Sequence, residues 1–306
     1  MAVYLSEPIH PESYALLKSE VEIVEDFSIP QKIDGLITRN IKVDKVLMDQ
    51  LPNLKVIGIH GSGCDDVDIE EAKKRHIQVF NAPNQNSNSV AEMIVMFMLA
   101  LSRHLIKAEH DYTSQTICNL ASSSLMGQEL SGKTVGFIGV GAIAKQAIGI
   151  LKAGFKMNVL GYSRHLNQTA ANVLGITHCA NLVSLLRQSD YVCLCLPLNE
   201  DTYHLIGKAE LEVMKPTAFL INTARGAIID EEALYLALKE KKIAGAASDV
   251  LTHEPYFSKL MLLENMIITP HLGANTNEAL KRVGDLCVSQ MIDALYHRPI
   301  AFEVNE

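Results

Sequence analysis

Short apolar runs alternate with amphipathic segments along the first third of this 306-residue chain. Runs of apolar, often β-branched residues predict strands, and they lie at residues 2–5, 21–24, 35–38, 54–59 and 77–80. Segments with helical spacing separate these runs, and they lie at residues 11–19, 43–51, 69–75 and 89–101. Alternation of this kind predicts a parallel sheet with helices packed on it.

A second alternating series follows a polar, Ser-rich connection at residues 115–128. Its predicted strands lie at residues 135–138, 157–162, 191–196, 218–222, 243–249 and 266–268. Helices are predicted between these strands, and a final helix at 277–296 would carry the chain back towards the first series. The second series as a whole resembles a doubly wound sheet.

The first strand of the second series leads into a glycine-rich turn, within KTVGFIGVGAIAKQ at residues 133–146. Gly139 and Gly141 have the spacing of a dinucleotide-binding turn, and Ala144 stands where a third glycine often occurs. Small residues are needed there because the chain turns tightly and its backbone approaches a pyrophosphate closely. The N–H groups that begin the next helix would face the negative charge. Similar turns occur in α/β proteins that bind no nucleotide, so the turn alone leaves the ligand open.

Composition and charge exclude several classes of protein. The chain is 48% hydrophobic and 20% charged, as expected of a globular protein, and its length suits two domains. Its formal net charge is −8 and it has no dense run of Lys or Arg, so we expect no nucleic-acid partner. No two cysteines form a C-x-x-C pair, so we expect neither a metal site nor a thiol redox motif. The cysteines are residues 64, 118, 179, 193, 195 and 287.

The N-terminal sequence MAVYLSEPIH lacks the basic and then apolar pattern of a signal peptide. The most apolar helix, at residues 93–101, is too short to span a bilayer. We therefore expect no membrane partner and a cytoplasmic location.

Three polar residues each follow a predicted strand of the second series: Arg225 in INTARG, Glu254 in SDVLTHEP and His271 in ITPHLGA. Ligands of open α/β sheets bind at the carboxyl ends of strands, so these side chains are predicted to converge beside a cofactor. A histidine can supply a proton near neutrality, and a nearby carboxylate stabilises its charged form. Arginine binds a carboxylate through two parallel hydrogen bonds. The set suits the reduction of a 2-keto acid by a nicotinamide cofactor.

Five stretches together carry a family resemblance, and they read GFIGVGAIA, LPLNEDTYHLIG, NTARGAIIDEEAL, AGAASDVLTHEP and TPHLGANTNEA. Nearly the whole chain resembles the D-isomer-specific 2-hydroxyacid dehydrogenases, most closely their phosphoglycerate dehydrogenase and glyoxylate/hydroxypyruvate reductase branches. The resemblance implies an α/β protein with two Rossmann-like domains: a doubly wound, parallel-sheet dinucleotide-binding domain inserted in a smaller, flavodoxin-like substrate domain. It implies that the dinucleotide-binding domain spans residues 100–284 and that the substrate domain spans residues 1–99 plus 285–306. It also implies a homodimer built partly from residues 89–128.

The same resemblance implies a role for each of the three polar residues. Arg225 would bind and polarise the substrate, and His271 would be the acid/base. Glu254 would orient His271 and stabilise its charged form. The backbone amides of Ser62 and Gly63 match the loop that holds the substrate carboxylate in this family.

The residues after the second strand of the dinucleotide-binding domain predict which cofactor binds. NAD-specific relatives carry an acid there, whereas this chain has Ser163, Arg164 and His165. An acid would repel a 2′-phosphate and Arg164 would pair with it, so NADP(H) is predicted to be preferred, with NAD(H) as the alternative. The predicted cofactor-binding residues are Gly139, Gly141, Ala142, Ile143, Ser163, Arg164, His165, Pro197, Thr202, Thr223, Ala224, Asp249 and Gly273.

The predicted substrate is a small 2-keto acid, with glyoxylate or hydroxypyruvate as the first candidate. Arg39, in LITRNIKV, falls near where phosphoglycerate dehydrogenases use an arginine beside the substrate phosphate. It also fits an ordinary surface arginine at a strand end, so phosphohydroxypyruvate stays an alternative, as does a branched 2-keto acid. His60 adjoins the loop at 62–63 and fits either the pocket lining or a structural position. A different class also remains: a corepressor-like protein that senses the dinucleotide and recruits peptide partners.

Overall fold

The structure is a computed structural model that describes residues 1–116 and 123–305. It divides the chain into two compact units, Met1–Asn86 with Ala274–Glu306, and Ser87–Gly273. Residues 117–122 belong to the segment from which we expected a dimer to be built, and they lie outside the described residues, as does Cys118.

The first unit is built on a five-stranded sheet in which every pairing is parallel. Its strands are β1 (Ala2–Leu5), β2 (Glu22–Val24), β3 (Ile33–Thr38), β4 (Val56–Ile59) and β5 (Gln78–Phe80). Its helices are α1 (Pro11–Glu20), α2 (Lys45–Gln50), α3 (Ile69–Lys74) and α11 (Asn277–Leu295). The strand order β2-β1-β3-β4-β5 is the flavodoxin-like order, which confirms the predicted fold of this unit.

Two strand glycines allow close packing in the core of the first unit, where α11 lies on β3 and β4. A methyl group at Gly35 would lie 2.7 Å from the sulfur of Met291. A methyl group at Gly58 would lie 2.6 Å from the ring of Phe80. Met291 and Phe80 are both fully buried, so their side chains fill the space that a larger residue in the strands would need.

The second unit contains a seven-stranded, wholly parallel sheet in the order β12-β11-β10-β9-β6-β7-β8, the doubly wound arrangement predicted from the sequence. Its strands are β6 (Thr134–Ile138), β7 (Asn158–Tyr162), β8 (Thr177–His178), β9 (Tyr191–Leu194), β10 (Phe219–Asn222), β11 (Gly245–Ser248) and β12 (Met266–Ile268). Its helices are α4 (Ser87–Ser102), α5 (Leu105–Thr113), α6 (Ala142–Phe155), α7 (Gln168–Leu174), α8 (Leu182–Gln188), α9 (Lys208–Val213) and α10 (Glu231–Lys239). Strand β8 was not predicted, because two residues are too short to produce a periodic pattern.

Two helices explain where the boundaries between the units lie. From the sequence we placed the boundaries at 99/100 and 284/285, within the helices α4 and α11. In the structure α4 packs as a whole on α6, β10 and β11. Helix α11 packs as a whole on α1, β3 and β4. The boundaries therefore lie just before each helix, at 86/87 and 273/274.

Tyr191 connects α4 to the sheet of the second unit. Its hydroxyl lies 2.6 Å from Oγ of Ser102, and that hydroxyl in turn lies 2.5 Å from the carbonyl oxygen of Met98. Its ring stacks on that of Phe219, with the ring centroids 5.4 Å apart. Burial raises the pKa of Tyr191, so the phenol stays protonated and can donate.

Among the described residues, no single helix is both long enough and apolar enough to cross a membrane. Helices α4 and α5 reach the required length and composition only together, and they are bent by 57°. Helix α4 contributes Ile94, Phe97 and Met98 to the hydrophobic core of the second unit.

Asp190 holds the starts of β6 and β9 together. Its carboxylate accepts hydrogen bonds from the N–H of Thr134 and from Nζ of Lys215, each at 2.8 Å. Partial burial opposes ionisation, but these two bonds and the charges of Lys215 and Lys133 hold the pKa of Asp190 below its ordinary value. A carboxylate with a lowered pKa stabilises the fold at neutral pH, and that stabilisation is lost as the pH falls through the folded-state pKa.

We expect Asp190→Asn to lower the free energy of unfolding by about 1–2 kcal/mol at neutral pH, because the ion pair with Lys215 is lost. The difference from the unaltered protein should shrink as the pH falls through the lowered pKa of Asp190, where the native carboxylate becomes protonated as well. Urea unfolding followed by circular dichroism, at neutral pH and through the acidic range, measures it. The exposed Glu240→Gln is the control, with a change within about 0.5 kcal/mol. A difference for Asp190→Asn that grows as the pH falls would contradict this account.

Candidate active site

The predicted site residues of the second unit all lie in segments that follow strands of its sheet. These segments come after β6, β7, β9, β10, β11 and β12. Because the strands are parallel, their carboxyl ends lie at one edge of the sheet. The structure thus brings together at this edge residues that are more than 130 positions apart in the sequence, from Gly139 to Gly273.

The turn between β6 and α6 fits the pyrophosphate of a dinucleotide. Gly139 has a φ angle of +89°, and a methyl group there would lie 2.3 Å from the carbonyl oxygen of Cys195, so glycine is required. Gly141 is the N-cap of α6, and within the described part of the chain it faces open space and no side chain caps the helix. The N–H groups of Ala142 and Ile143 begin this 14-residue helix and can face an anionic group.

The segments after β7 and β9 flank this turn, because β6 pairs with both strands. Ser163 opens a turn that contains Arg164 and His165, and its carbonyl accepts the N–H of Leu166 at 3.1 Å. Nη2 of Arg164 lies 2.5 Å from Oδ2 of Asp201, in the segment after β9. The residue predicted to select NADP(H) therefore has a carboxylate partner that we did not predict from the sequence.

Two further residues of the predicted cofactor set, Pro197 and Thr202, shape the loop that carries Asp201. Thr202 is buried, and its hydroxyl donates to the carbonyl of Pro197 at 2.7 Å. The same hydroxyl accepts the N–H of Asn199 at 2.8 Å. The conformation of this loop thus depends on hydrogen bonds within it.

Asn222, which we did not single out from the sequence, shapes the turn that carries Arg225. It ends β10 and is 1% exposed. Its Nδ2 donates to the carbonyl of Arg225 at 2.9 Å, and its Oδ1 accepts the N–H of Ala224 at 3.0 Å. An asparagine at the end of a strand is the sequence signal for such a turn. Within the described residues, the buried hydroxyl of Thr223 has no hydrogen-bond partner, which fits a group that meets a bound ligand.

Gly226 places the turn of Arg225 directly against the segment that carries Glu254. A methyl group at Gly226 would lie 2.0 Å from the carbonyl carbon of Leu251 and 2.2 Å from the nitrogen of Thr252. Both neighbours are backbone atoms, so a change of rotamer could not relieve the overlap. The two segments are therefore in backbone contact, which fixes their relative position.

Asp249 determines the conformation of the segment that carries His271. The residue is 2% exposed, and its carboxylate accepts hydrogen bonds from the hydroxyl of Thr269 at 2.5 Å, the N–H of Leu272 at 2.7 Å and the N–H of Gly273 at 2.6 Å. The N–H of His271 donates to the carbonyl of Asp249 at 2.9 Å, and His271 has a φ angle of +55°. Asp249 and Gly273, both predicted to bind the cofactor, are thus bonded to each other.

Glu254 and His271 form a hydrogen-bonded pair. Nδ1 of His271 lies 3.0 Å from Oε2 of Glu254, and Oε1 of Glu254 accepts the N–H of Leu251 at 2.6 Å. Partial burial opposes ionisation of Glu254, but these hydrogen bonds and the charges of His271 and Arg225 hold its pKa below the ordinary value. Glu254 is therefore ionised at neutral pH and can accept a hydrogen bond from Nδ1 of His271.

Glu231, at the start of α10, supports the segment that contains Glu254. Its Oε1 accepts the N–H of Thr252 at 2.7 Å, and its Oε2 accepts the hydroxyl of Ser258 at 3.0 Å. From the sequence, acids at the start of a helix indicate only a favourable interaction with the helix dipole. The contact of Glu231 with a loop that follows a different strand depends on the tertiary fold.

These groups suit proton transfer to an oxygen atom. With Nδ1 of His271 bonded to Glu254, Nε2 is the ring nitrogen that can hold a proton for a ligand. The guanidinium of Arg225 acts on Glu254 through its charge and can bind an anionic ligand in two parallel contacts. A proton donor and a cation beside a dinucleotide turn are the groups that keto-acid reduction requires.

The predicted substrate residues of the first unit follow strands of its own sheet. Ser62 and Gly63 follow β4, and the carbonyl of Ser62 accepts a hydrogen bond from Nδ2 of Asn81 at 2.9 Å. The N–H of Ala82 donates to the carbonyl of Gly61 at 2.8 Å. These two bonds fix the backbone of the loop.

His60 and Arg39 follow the neighbouring strands β4 and β3 of that sheet. Burial, and then the charge of Arg39, lower the pKa of His60 to about 4, so the ring is neutral at physiological pH. In the described part of the chain, Nε2 of His60 is buried without a hydrogen-bond partner. Glu7, which we did not single out from the sequence, accepts the backbone N–H groups of Arg39 and Asn40, each at 3.0 Å.

Comparison with protein families matches residues 95–273 to the model described as "D-isomer specific 2-hydroxyacid dehydrogenase, NAD binding domain". This match covers more than half of the chain. The chain belongs to the D-isomer specific 2-hydroxyacid dehydrogenases. It is an NAD(P)-dependent dehydrogenase with a nicotinamide cofactor, as the sequence predicted.

Several known proteins align with most of the length of this dehydrogenase. It is 37% identical to a glyoxylate reductase of Thermococcus litoralis over 288 residues, which are 89% of this chain and 86% of that protein. It is also 37% identical to a D-3-phosphoglycerate dehydrogenase of Methanocaldococcus jannaschii over 299 residues, which are 94% of this chain but 56% of that protein. The crystal structure of a glyoxylate reductase from Paecilomyes thermophila matches with a TM-score of 0.87 and 27% identity, covering 99% of this chain and 98% of that one.

We expect Gly226→Ala to lower the free energy of unfolding of the dehydrogenase by more than about 2 kcal/mol, because two backbone segments must separate. Thermal and urea unfolding measure the change. Gly149→Ala, in α6, is the matched control, because a methyl group there meets open space within the described residues. It should raise stability by about 0.5–1 kcal/mol through helix propensity. Equal stability of Gly226→Ala and the unaltered protein would contradict the contact between the two segments.

Proposed function

We propose that the dehydrogenase reduces a small 2-keto acid to the D-2-hydroxy acid, with NADPH preferred and glyoxylate or hydroxypyruvate as substrate. The observation that carries this proposal is the His271–Glu254 pair, 3.0 Å apart, within range of the charge of Arg225. The similarity to the glyoxylate reductase of Thermococcus litoralis supports the substrate class. A homodimer and a cytoplasmic location remain expectations from the sequence.

In the proposed reaction, a bound nicotinamide supplies the hydride. Nε2 of His271 holds the proton that the carbonyl oxygen takes up, and Glu254 stabilises the charged ring before that transfer. Arg225 binds the substrate carboxylate and polarises the carbonyl group. For the loop at 62–63, we propose that its amides bind a carboxylate.

The proposed preference for NADPH rests on the segment after β7. Ser163, Arg164 and His165 bring no acid to the place where an acid would accept the ribose hydroxyls. Arg164 is 61% exposed in its side chain, so its guanidinium is accessible to a phosphate. A guanidinium pairs well with a phosphate dianion.

A panel of glyoxylate, hydroxypyruvate, phosphohydroxypyruvate and a branched 2-keto acid, each with NADPH and NADH, tests this function. We expect the highest kcat/KM for glyoxylate or hydroxypyruvate with NADPH, and D-glycerate from hydroxypyruvate by chiral analysis. Arg164→Ala should reduce the advantage of NADPH over NADH by about tenfold, because a charged hydrogen bond is lost.

Other results of this panel are equally informative. An equal or better rate with NADH in the unaltered protein would end the proposed cofactor preference. A preference for phosphohydroxypyruvate would favour the alternative suggested by Arg39. Tight dinucleotide binding without turnover on any keto acid would favour a sensor of the corepressor type.

We expect His271→Ala to lower kcat by about a hundredfold or more and to leave the Kd for NADPH within about twofold, because the proton is needed only in the reaction. Glu254→Gln should lower kcat in the unaltered background and should have no further effect on His271→Ala, since Glu254 acts through His271. Steady-state kinetics and cofactor fluorescence titration measure the two quantities. Loss of cofactor binding in a folded His271→Ala, or additive effects of the two substitutions, would refute the assigned roles.

A further inference from the structure

The ion pair of Arg164 with Asp201 spans the place where the strand order of the sheet reverses. Arg164 follows β7 on one side of β6, and Asp201 follows β9 on the other side. The dinucleotide turn with Gly139 and Gly141 lies at the end of β6, between these two segments. Ligands of doubly wound sheets bind in the crevice at this reversal. The side chains that meet across the crevice therefore lie in the path of a bound dinucleotide.

Asp201 occupies a defined place in its loop. Its N–H donates to Oδ1 of Asn199 at 3.0 Å, and the N–H of Thr202 donates to the same atom at 3.1 Å. The buried hydroxyl of Thr202 also stabilises the loop, because it donates a hydrogen bond to the carbonyl of Pro197. Hydrogen bonds thus hold the backbone of Asp201, which places its carboxylate within reach of Arg164.

We propose that Asp201 is a specificity-determining residue that competes with the 2′-phosphate of the cofactor for Arg164. The proposal rests on the proposed use of NADPH and adds a residue that limits that preference. When a 2′-phosphate binds, it takes the place of Asp201 at the guanidinium. The carboxylate then remains near a second anion and repels it.

The balance of these contacts gives the direction of the effect. Both side chains of the pair are largely exposed, 61% for Arg164 and 67% for Asp201, so the pair itself is weak and a phosphate can displace it. Repulsion between Asp201 and a phosphate persists after the exchange. Removal of the negative charge at this position should therefore strengthen the binding of 2′-phosphorylated nucleotides and leave other nucleotides unaffected.

Calorimetric titration with adenosine 2′,5′-bisphosphate and with 5′-AMP tests this in the unaltered protein and in Asp201→Asn. We expect Asp201→Asn to bind the bisphosphate about two- to fivefold more tightly and 5′-AMP with unchanged affinity. The gain should decrease at high salt, because ions screen exposed charges. Glu200→Gln is the matched control: it removes a neighbouring exposed carboxylate and should change neither affinity by as much as twofold.

A second background separates competition for Arg164 from a general effect of charge. In Arg164→Ala, the gain from Asp201→Asn should be smaller, because only the repulsion is relieved and there is no guanidinium to release; an equal gain would contradict competition for Arg164. Unchanged or weaker binding of the bisphosphate by Asp201→Asn, or an equal gain in Glu200→Gln, would overturn the inference. Failure of the proposed NADPH preference looks different: the unaltered protein would bind the bisphosphate no more tightly than 5′-AMP. A gain in Asp201→Asn that becomes smaller in the Arg164→Ala background would then still support competition by Asp201.

Discussion

Parallel pairing of all seven strands is the constraint on which the second unit depends. It places every strand's carboxyl end at one edge, so the segments that follow six of the strands meet there. The dinucleotide turn, the Arg225 turn and the His271–Glu254 pair come from four of these segments. No local property of any one segment brings these groups together. The parallel pairing and register of the strands do, and buried residues such as Val192 and Leu220 stabilise that register in the hydrophobic core.

Buried polar groups then give the edge its detailed shape. The carboxylate of Asp249 is nearly inaccessible to water, which is costly for a charge unless hydrogen bonds replace the lost hydration. Three donors from the segment after β12 supply that replacement, and in doing so they fix the backbone at His271. Asn222 acts in the same way on the turn of Arg225. Asp249 and Asn222 thus fix the backbone of the segments that carry His271 and Arg225, the residues proposed to take part in the reaction.

Local electrostatics compensate for the negative charge of the chain as a whole. A protein with a formal net charge of −8 must bind an anionic cofactor through groups concentrated at one place. The start of α6 presents N–H groups, and Arg164 presents a guanidinium across the same crevice. Asp201 pairs with Arg164 and reduces the positive potential there, and we propose that the cofactor selectivity of the site depends on this balance of charges.

The sequence by itself predicted the architecture because hydrophobic periodicity and glycine spacing are local signals. Five strands of the first unit and six of the second were found in this way, as was the turn at Gly139. Arg225, Glu254 and His271 were singled out because each follows a strand, and the family resemblance implied a role for each of them. The family and the use of a nicotinamide cofactor were predicted for the same reason, since both depend on short stretches with fixed spacing.

Only the tertiary structure decided which residues hold these groups in place. Glu231 contacts a segment that follows a different strand, and Gly226 is required because a distant backbone lies against it. Asp201 meets Arg164 across a crevice, although 36 residues separate the two in the sequence. Strand β8 was too short to predict, and the boundaries of the units followed the packing of whole helices. Contacts of this kind depend on distances in the folded chain, and hydrophobic patterning along a sequence carries no information about them.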